Sequence, residues 1–227
     1  MGRIKIVKET VPEISTMDFQ GEDYDIGGKY DPQMILVSDN YTSAEESYRL
    51  FVLPQAAESI MDYIGWSQYN IWKNHSEQGG FLIGRNYKDP DKQLNIGIVE
   101  YAIPAVHARG SAGALDIPAE DSKAMYKELD TMNQMRPAQE RLEVVGWFHT
   151  HPNSLDVFMS GTDRWTQSRL FSGERCIALV FNPHRKLWKC FRTEECLDTK
   201  AELLVGSRLA DKLGKKGLRN ETVVFGR

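Results

Sequence analysis

Two histidines one residue apart, in His149-Thr150-His151-Pro152, are followed downstream by Ser160-Gly161-Thr162-Asp163. Imidazoles at i and i+2 of an extended strand leave the backbone on the same side. A carboxylate carried by the next element can then complete a set of three nitrogen and oxygen ligands, with one position left open. That set is the arrangement of a catalytic zinc, whereas structural zinc sites usually close all four positions with Cys and His. The chemistry these residues suit is hydrolysis.

Placing such a set requires a strand that ends at the histidines and a turn that brings the carboxylate back. Val144-Val145-Gly146-Trp147-Phe148 is a short apolar run, which reads as a buried strand delivering both imidazoles at its end. Ser160-x-x-Asp163 reads as the start of a helix, with Ser160 at the N-cap and Asp163 in the first turn. Each piece has a plain alternative: a histidine pair in a surface turn, and a helix cap with no further role. The strand before and the cap after favour the metal site, because a short motif is confirmed by its structural context.

Together these residues resemble the signature of the JAMM (MPN-plus) metalloprotease family, in which a remote Glu accompanies His-(Ser/Thr)-His-Pro and Ser-x-x-Asp. The string Met159-Ser160-Gly161-Thr162-Asp163-Arg164-Trp165-Thr166-Gln167 is similar to the deubiquitinase branch found in the proteasome lid and the signalosome. One feature departs from the pattern. Eight residues separate His151 from Ser160, one more than is usual in the family. An outward bulge would absorb the extra residue and keep the ligands, while changing what the loop presents to a substrate.

His75-Ser76-Glu77-Gln78-Gly79-Gly80 and the apolar residues after it resemble the family's helix-to-strand segment. By position alone, Glu77 is a solvated carboxylate at a helix end. The resemblance implies instead a strand beside the histidine strand, with Glu77 as the general base. It also implies His149, His151 and Asp163 as ligands of one Zn2+, and Ser160 as the hydroxyl that stabilises an oxyanion. Zinc in such a site lowers the pKa of water from ~15.7 to ~7. The base takes the water's proton and returns it to the leaving amine. An oxyanion donor is worth roughly 3–4 kcal/mol in other hydrolases.

The implied fold is α/β: a JAB/MPN-type curved mixed sheet sandwiched between helices, over residues 46–195, with an N-terminal extension over 1–45 and a C-terminal helix and tail over 196–227. The implied function is an isopeptidase that removes ubiquitin or a ubiquitin-like protein from a lysine, acting alone, as a homodimer or with an activating partner. A peptidase that trims a ubiquitin-like or sulfur-carrier precursor would use the same site. A non-catalytic scaffold, as many relatives are, would have lost ligands. All five candidate site residues are present in this chain.

Composition narrows the classes. The chain has 227 residues, 41% hydrophobic, enough for one packed domain with extensions. With 28 Lys and Arg against 32 Asp and Glu, its formal charge is -4, which argues against nucleic acid as the main partner. Lys212, Lys215, Lys216 and Arg219 read as a solvated helix terminus. Cys176, Cys190 and Cys196 have neither zinc-ligand spacing nor an even disulfide framework, which suits a reducing compartment. No apolar run reaches the length of a membrane span. The start of the chain lacks a signal-peptide core, so the expectation is a soluble cytoplasmic protein.

Along the chain, Arg3–Lys8 alternates like a strand and the acidic stretch Glu13–Pro32 reads as a loop or an arm that orders on a partner. The core begins near Tyr48, with a strand over 49–53 and a helix opened by Pro54 that aligns Ala57, Ile60, Met61 and Ile64. Strands are expected over 80–84 and 94–102, joined by a polar turn at Lys88-Asp89-Pro90-Asp91. A mobile loop over Val106–Asp116 then leads to a helix begun by Pro118. Segments 176–181 and 187–192 suggest a hairpin. Thr199-x-x-Glu202 reads as a capping box for a last helix carrying Leu203, Leu204, Leu209 and Leu213. His75, His107 and His184 read as surface or loop residues.

Overall fold

The strand-forming runs join in one eleven-stranded mixed sheet, in a computed structural model that describes residues 15–16, 30–39, 47–67, 76–89, 93–110, 115–173, 175–214 and 223–225. The strands are, first, β1 (Ser15–Thr16), β2 (Met34–Val37), β3 (Tyr48–Val52), β4 (Gly79–Asp89) and β5 (Leu94–Pro104). The short β6 (Arg109–Gly110) and β7 (Leu115–Asp116) pair only with each other. Then follow β8 (Glu143–Thr150), β9 (Ile177–Asn182), β10 (Leu187–Arg192), β11 (Leu197–Thr199), β12 (Ala201–Val205) and β13 (Val223–Phe225). Helices α1 (Pro54–Tyr63), α2 (Ala119–Asn133), α3 (Gly161–Leu170) and α4 (Ser207–Leu213) lie between them. The order across the sheet is β11-β10-β9-β8-β4-β5-β3-β12-β2-β13, with β1 added parallel to the far end of β4. This is the curved mixed α/β architecture expected from the sequence.

Helices cover both faces because the central strands are apolar on both. On β9, Ile177, Leu179 and Phe181 belong to one core, while Ala178 and Val180 belong to the other. The first core receives Ala56, Ala57, Ile60 and Met61 of α1, together with Leu209 and Leu213 of α4. The second receives Met125 and Leu129 of α2, with Phe171 from the end of α3. Strand β4 is bulged where its register shifts against β8 at Leu82/Ile83 and against β5 at Ile83/Gly84. Bulges of this kind sharpen the twist and bend a sheet.

Several expectations are corrected. Thr199-x-x-Glu202 does not cap a helix: Ala201–Val205 is β12, inserted parallel to β3 and antiparallel to β2. Its run of Leu203-Leu204-Val205 is fully buried, with Leu203 in one core and Leu204 in another, which suits a central strand covered on both faces. The helix starts only at Ser207. The sheet also extends beyond residues 46–195, because β2 contributes Met34 and Leu36 to the core. Lys88 and Asp89 belong to β4, not to the turn that follows it. The base of the 106–116 loop is the β6–β7 hairpin. Of the acidic arm, Ser15–Thr16 is β1; the expected strand over Arg3–Lys8 lies outside the described residues.

The bulge in β4 leaves no space at Gly84, where a Cβ would lie 1.9 Å from the carbonyl oxygen of Ile98. Gly84→Ala is therefore expected to cost about 2 kcal/mol or more, because the sheet must shift to admit it. Gly161→Ala, whose Cβ would meet nothing within 4 Å, is expected to stay within about 0.5 kcal/mol of the parent. Urea unfolding of the two variants checks the contrast.

Candidate metal centre

The end of β8 is held from both sides. Gly79 of β4 pairs with His149, and on the other flank Val180 of β9 pairs with the same residue. The Thr150 N–H donates to the Gln78 carbonyl at 2.8 Å, and its Oγ1 accepts from the Gln78 N–H at 2.9 Å. One residue beyond the strand, the His151 N–H donates to the Phe181 carbonyl at 2.8 Å. The extended backbone thus carries both imidazoles to one side, with ring centroids 5.2 Å apart. His149 is 0% exposed and His151 2%.

Helix α3 returns the carboxylate. Ser160 Oγ accepts from the Asp163 N–H at 3.2 Å, and the Ser160 N–H donates to Asp163 Oδ2 at 2.8 Å, a reciprocal capping box. The cap and the ligand geometry are the same feature, since the box that starts the helix also aims Asp163. Its Oδ1 lies 3.4 Å from His149 Nε2 and its Oδ2 3.5 Å from His151 Nε2. One donor atom from each residue lies within 4.8 Å of the others, and all three side chains are buried.

The two rings are fixed by different means. His151 Nδ1 lies 2.7 Å from the Asp156 carbonyl oxygen. A carbonyl only accepts, so Nδ1 carries the hydrogen and Nε2 faces the cluster with its lone pair. His149 has no hydrogen-bond partner on either ring nitrogen. It is stacked instead on Trp147, with centroids 4.4 Å apart and planes 12° apart. Buried, unsatisfied imidazole nitrogens facing a carboxylate are what a cation would satisfy. The donor set of two nitrogens and an oxygen fits a divalent metal of the borderline class.

Glu77 completes the arrangement. It lies two residues before β4, is 4% exposed, and its Oε2 has no hydrogen-bond partner. Burial, reinforced by the negative charge of Asp163 and opposed by His151, pushes its pKa up to about 7. Asp163 goes the other way: burial raises it, but His149 and then His151 outweigh that and hold it well below the usual carboxylate range. Burial drives His149 down. In His151 burial is outweighed by Asp163, the Asp156 carbonyl and Glu77, and its pKa is raised.

A family model described as JAB1/Mov34/MPN/PAD-1 ubiquitin protease matches residues 50–171 of the 227. The chain belongs to this family. No curated protein matches it. In this JAB domain, all five residues singled out from the sequence fall in one place. His149, His151 and Asp163 cluster, Ser160 is bonded to Asp163, and Glu77 is electrostatically coupled to Asp163 and His151.

The 152–159 loop of the JAB domain runs over the surface, with residues 153–156 exposed. Asn153 takes a left-handed backbone, φ 59°, which asparagine tolerates better than most residues. The buried Asn182 amide donates to the carbonyls of Asn153 at 3.1 Å and Leu155 at 2.6 Å, so the loop is tied to β9. Gly110 packs against the backbone of Glu77: a Cβ there would sit 2.0 Å from the Glu77 carbonyl oxygen. His107 is an exposed turn residue, yet its Nδ1 and N–H both engage Asp121, each at 2.7 Å. His184 lies in the β9–β10 turn, and His75 falls outside the described residues.

Sequence reasoning assigned no role to Trp147, Asp156, Gln167 or Asn182. Gln167 stood inside the string that carried the family resemblance, but only the three-dimensional contacts reveal what it holds.

Protein purified without chelator is expected to carry about one equivalent of a divalent metal, measured by elemental analysis. The His149→Ala, His151→Ala double variant is expected to lose it. The metal-free protein carries a second signature. Folding holds a proton on Glu77 up to about pH 7, where an unfolded carboxyl loses it near 4.5. Glu77 therefore contributes most stability at low pH, and that contribution is lost as the pH rises across this window. With chelator present, Glu77→Gln should raise the Tm by about 2–4 °C at pH 8 and by clearly less at pH 5. An equal gain at both pH values would contradict the raised pKa.

Proposed function

We propose that this JAB domain is a zinc-dependent isopeptidase of the JAMM type, removing ubiquitin or a ubiquitin-like protein from a lysine. The observation that carries the reading is the buried His149, His151 and Asp163 cluster with one further buried carboxyl, Glu77, poised near neutrality. When bound there, zinc supplies Lewis acidity, which makes water nucleophilic near neutral pH.

Glu77 accepts the proton of the attacking water and returns it to the departing lysine amine, its buried Oε2 being without a hydrogen-bond partner and so available for both transfers. Asp163, held ionised, would offset one of the two charges of a divalent cation. Ser160 accepts from the Asp163 N–H, and its hydroxyl hydrogen is a donor for the oxyanion of the tetrahedral intermediate. The β6–β7 hairpin lies against the backbone of Glu77. An extended glycine-terminated tail could pair with such an edge through main-chain hydrogen bonds, which do not depend on side chains.

Precursor trimming would use the same site, and substrate choice separates the two. On a panel of di-ubiquitins, ubiquitin-like conjugates and linear precursor fusions, we expect chelator-sensitive cleavage of at least one lysine-linked member. Glu77→Gln should keep the metal and lose nearly all of that turnover, roughly a hundredfold or more. Cleavage of linear fusions alone would replace deconjugation by precursor processing. Bound zinc with an inert panel would place the substrate outside the classes on the panel, and absence of bound metal would favour the scaffold reading.

A further inference from the structure

Two buried carboxamides, Gln167 and Asn182, are both 0% exposed, and the partners of each allow it only one orientation. Gln167 Oε1 accepts from the Trp147 indole N–H at 2.8 Å, while its Nε2 donates to the carbonyls of Phe171 at 3.2 Å and Cys176 at 3.1 Å. An indole nitrogen only donates and a carbonyl only accepts, so the amide cannot be reversed. Asn182 Oδ1 accepts from the N–H groups of His184 and Arg185, at 3.0 and 2.9 Å, and its Nδ2 donates into the 152–159 loop. That amide is likewise fixed.

Each carboxamide leads to one histidine. Gln167 holds Trp147 by its indole hydrogen, and Trp147 lies flat on His149, whose ring meets Asp163 at 3.4 Å without a well-formed hydrogen bond. Asn182 holds the Leu155 carbonyl, and the next residue, Asp156, supplies the carbonyl that orients His151. We infer that Gln167 and Asn182 are the positioning residues of the metal centre, one for each imidazole, acting through a stacked indole on one side and a pinned loop on the other. This rests on the reading of His149, His151 and Asp163 as metal ligands.

Zinc affinity, measured on the full chain by competition with a chromophoric chelator, is the primary test. Asn182→Asp is isosteric but turns both donors into an oxygen facing two carbonyls. Gln167→Leu leaves the indole hydrogen without an acceptor. Each is expected to weaken zinc binding about 10–100-fold, the usual effect of losing an outer partner of a ligand. Should Asn182→Asp fail to fold, Asn182→Ala removes the donors without adding charge and carries the same expectation. Ile60→Val, in the core on the other face of the sheet, should lower the Tm and leave zinc affinity unchanged.

A cycle makes the Gln167 route specific. Phenylalanine at position 147 can still stack on His149 but has no hydrogen to offer. In a Trp147→Phe background, Gln167→Leu should therefore weaken zinc binding further by less than about threefold, a clear departure from additivity. Cobalt-substituted Asn182→Asp should show altered d–d bands, and metal-free Gln167→Leu a changed near-ultraviolet tryptophan dichroism. If the wild type binds zinc and the folded variants bind it equally well, the positioning role is wrong and the metal reading stands. A wild type with no zinc affinity would overturn both.

Discussion

The register of β8 between β4 and β9 is the constraint on which the rest of the molecule depends. A strand has a side-chain period of two, so slipping by one residue would turn both imidazoles to the opposite core and bring Phe148 and Thr150 to the site. Strong pairing on both flanks prevents this. On the β4 side, the glycines at 79 and 80 admit no Cβ, because backbone or ring atoms of neighbouring strands already occupy that space. On the β9 side, every residue from Ile177 to Asn182 is buried. The candidate metal centre thus lies at the exit of a strand paired on both flanks, where the backbone is fixed and side chains can leave the sheet toward a helix.

Electrostatics then distinguishes two carboxyls in the same buried space. Asp163 is surrounded by donors and ionised; Glu77 is desolvated, lies within reach of Asp163's charge, and titrates near neutrality. When environments push two acids apart in this way, one can serve as a permanent anion and the other as a proton carrier. The separation costs stability, since Glu77 Oε2 and both nitrogens of His149 are buried without hydrogen-bond partners. Apolar packing on both faces of the sheet offsets that cost.

Helix α3 shows how polar residues can anchor an element. It buries Asp163 and Gln167 and has no apolar stripe, so side-chain hydrogen bonds dock it more than hydrophobic burial does. Directional contacts set its position closely. The same polar contacts join the helix to Trp147 and so to the ring of His149. Stability of the helix and placement of the ligands are, in this region, a single problem.

Much of this was legible in the sequence because it depends on local rules. A short apolar run placed β8, the Ser-x-x-Asp cap placed α3, and Pro54 placed α1, all within a residue or two of where they occur. The candidate ligand set followed from the type and spacing of its residues and from the family resemblance they carry. What failed was decided by long-range pairing. Thr199-x-x-Glu202 looked like a helix start until Ala201–Val205 found β3 and β2 as partners far away in the chain. Met34–Val37 looked like part of an extension for the same reason. The pKa of Glu77, the flat stacking of Trp147 and the roles of Gln167 and Asn182 depend on burial and distance between segments brought together only by the tertiary fold. Local sequence therefore determined which groups are available for chemistry, and the packing of distant strands decided how each is oriented and charged.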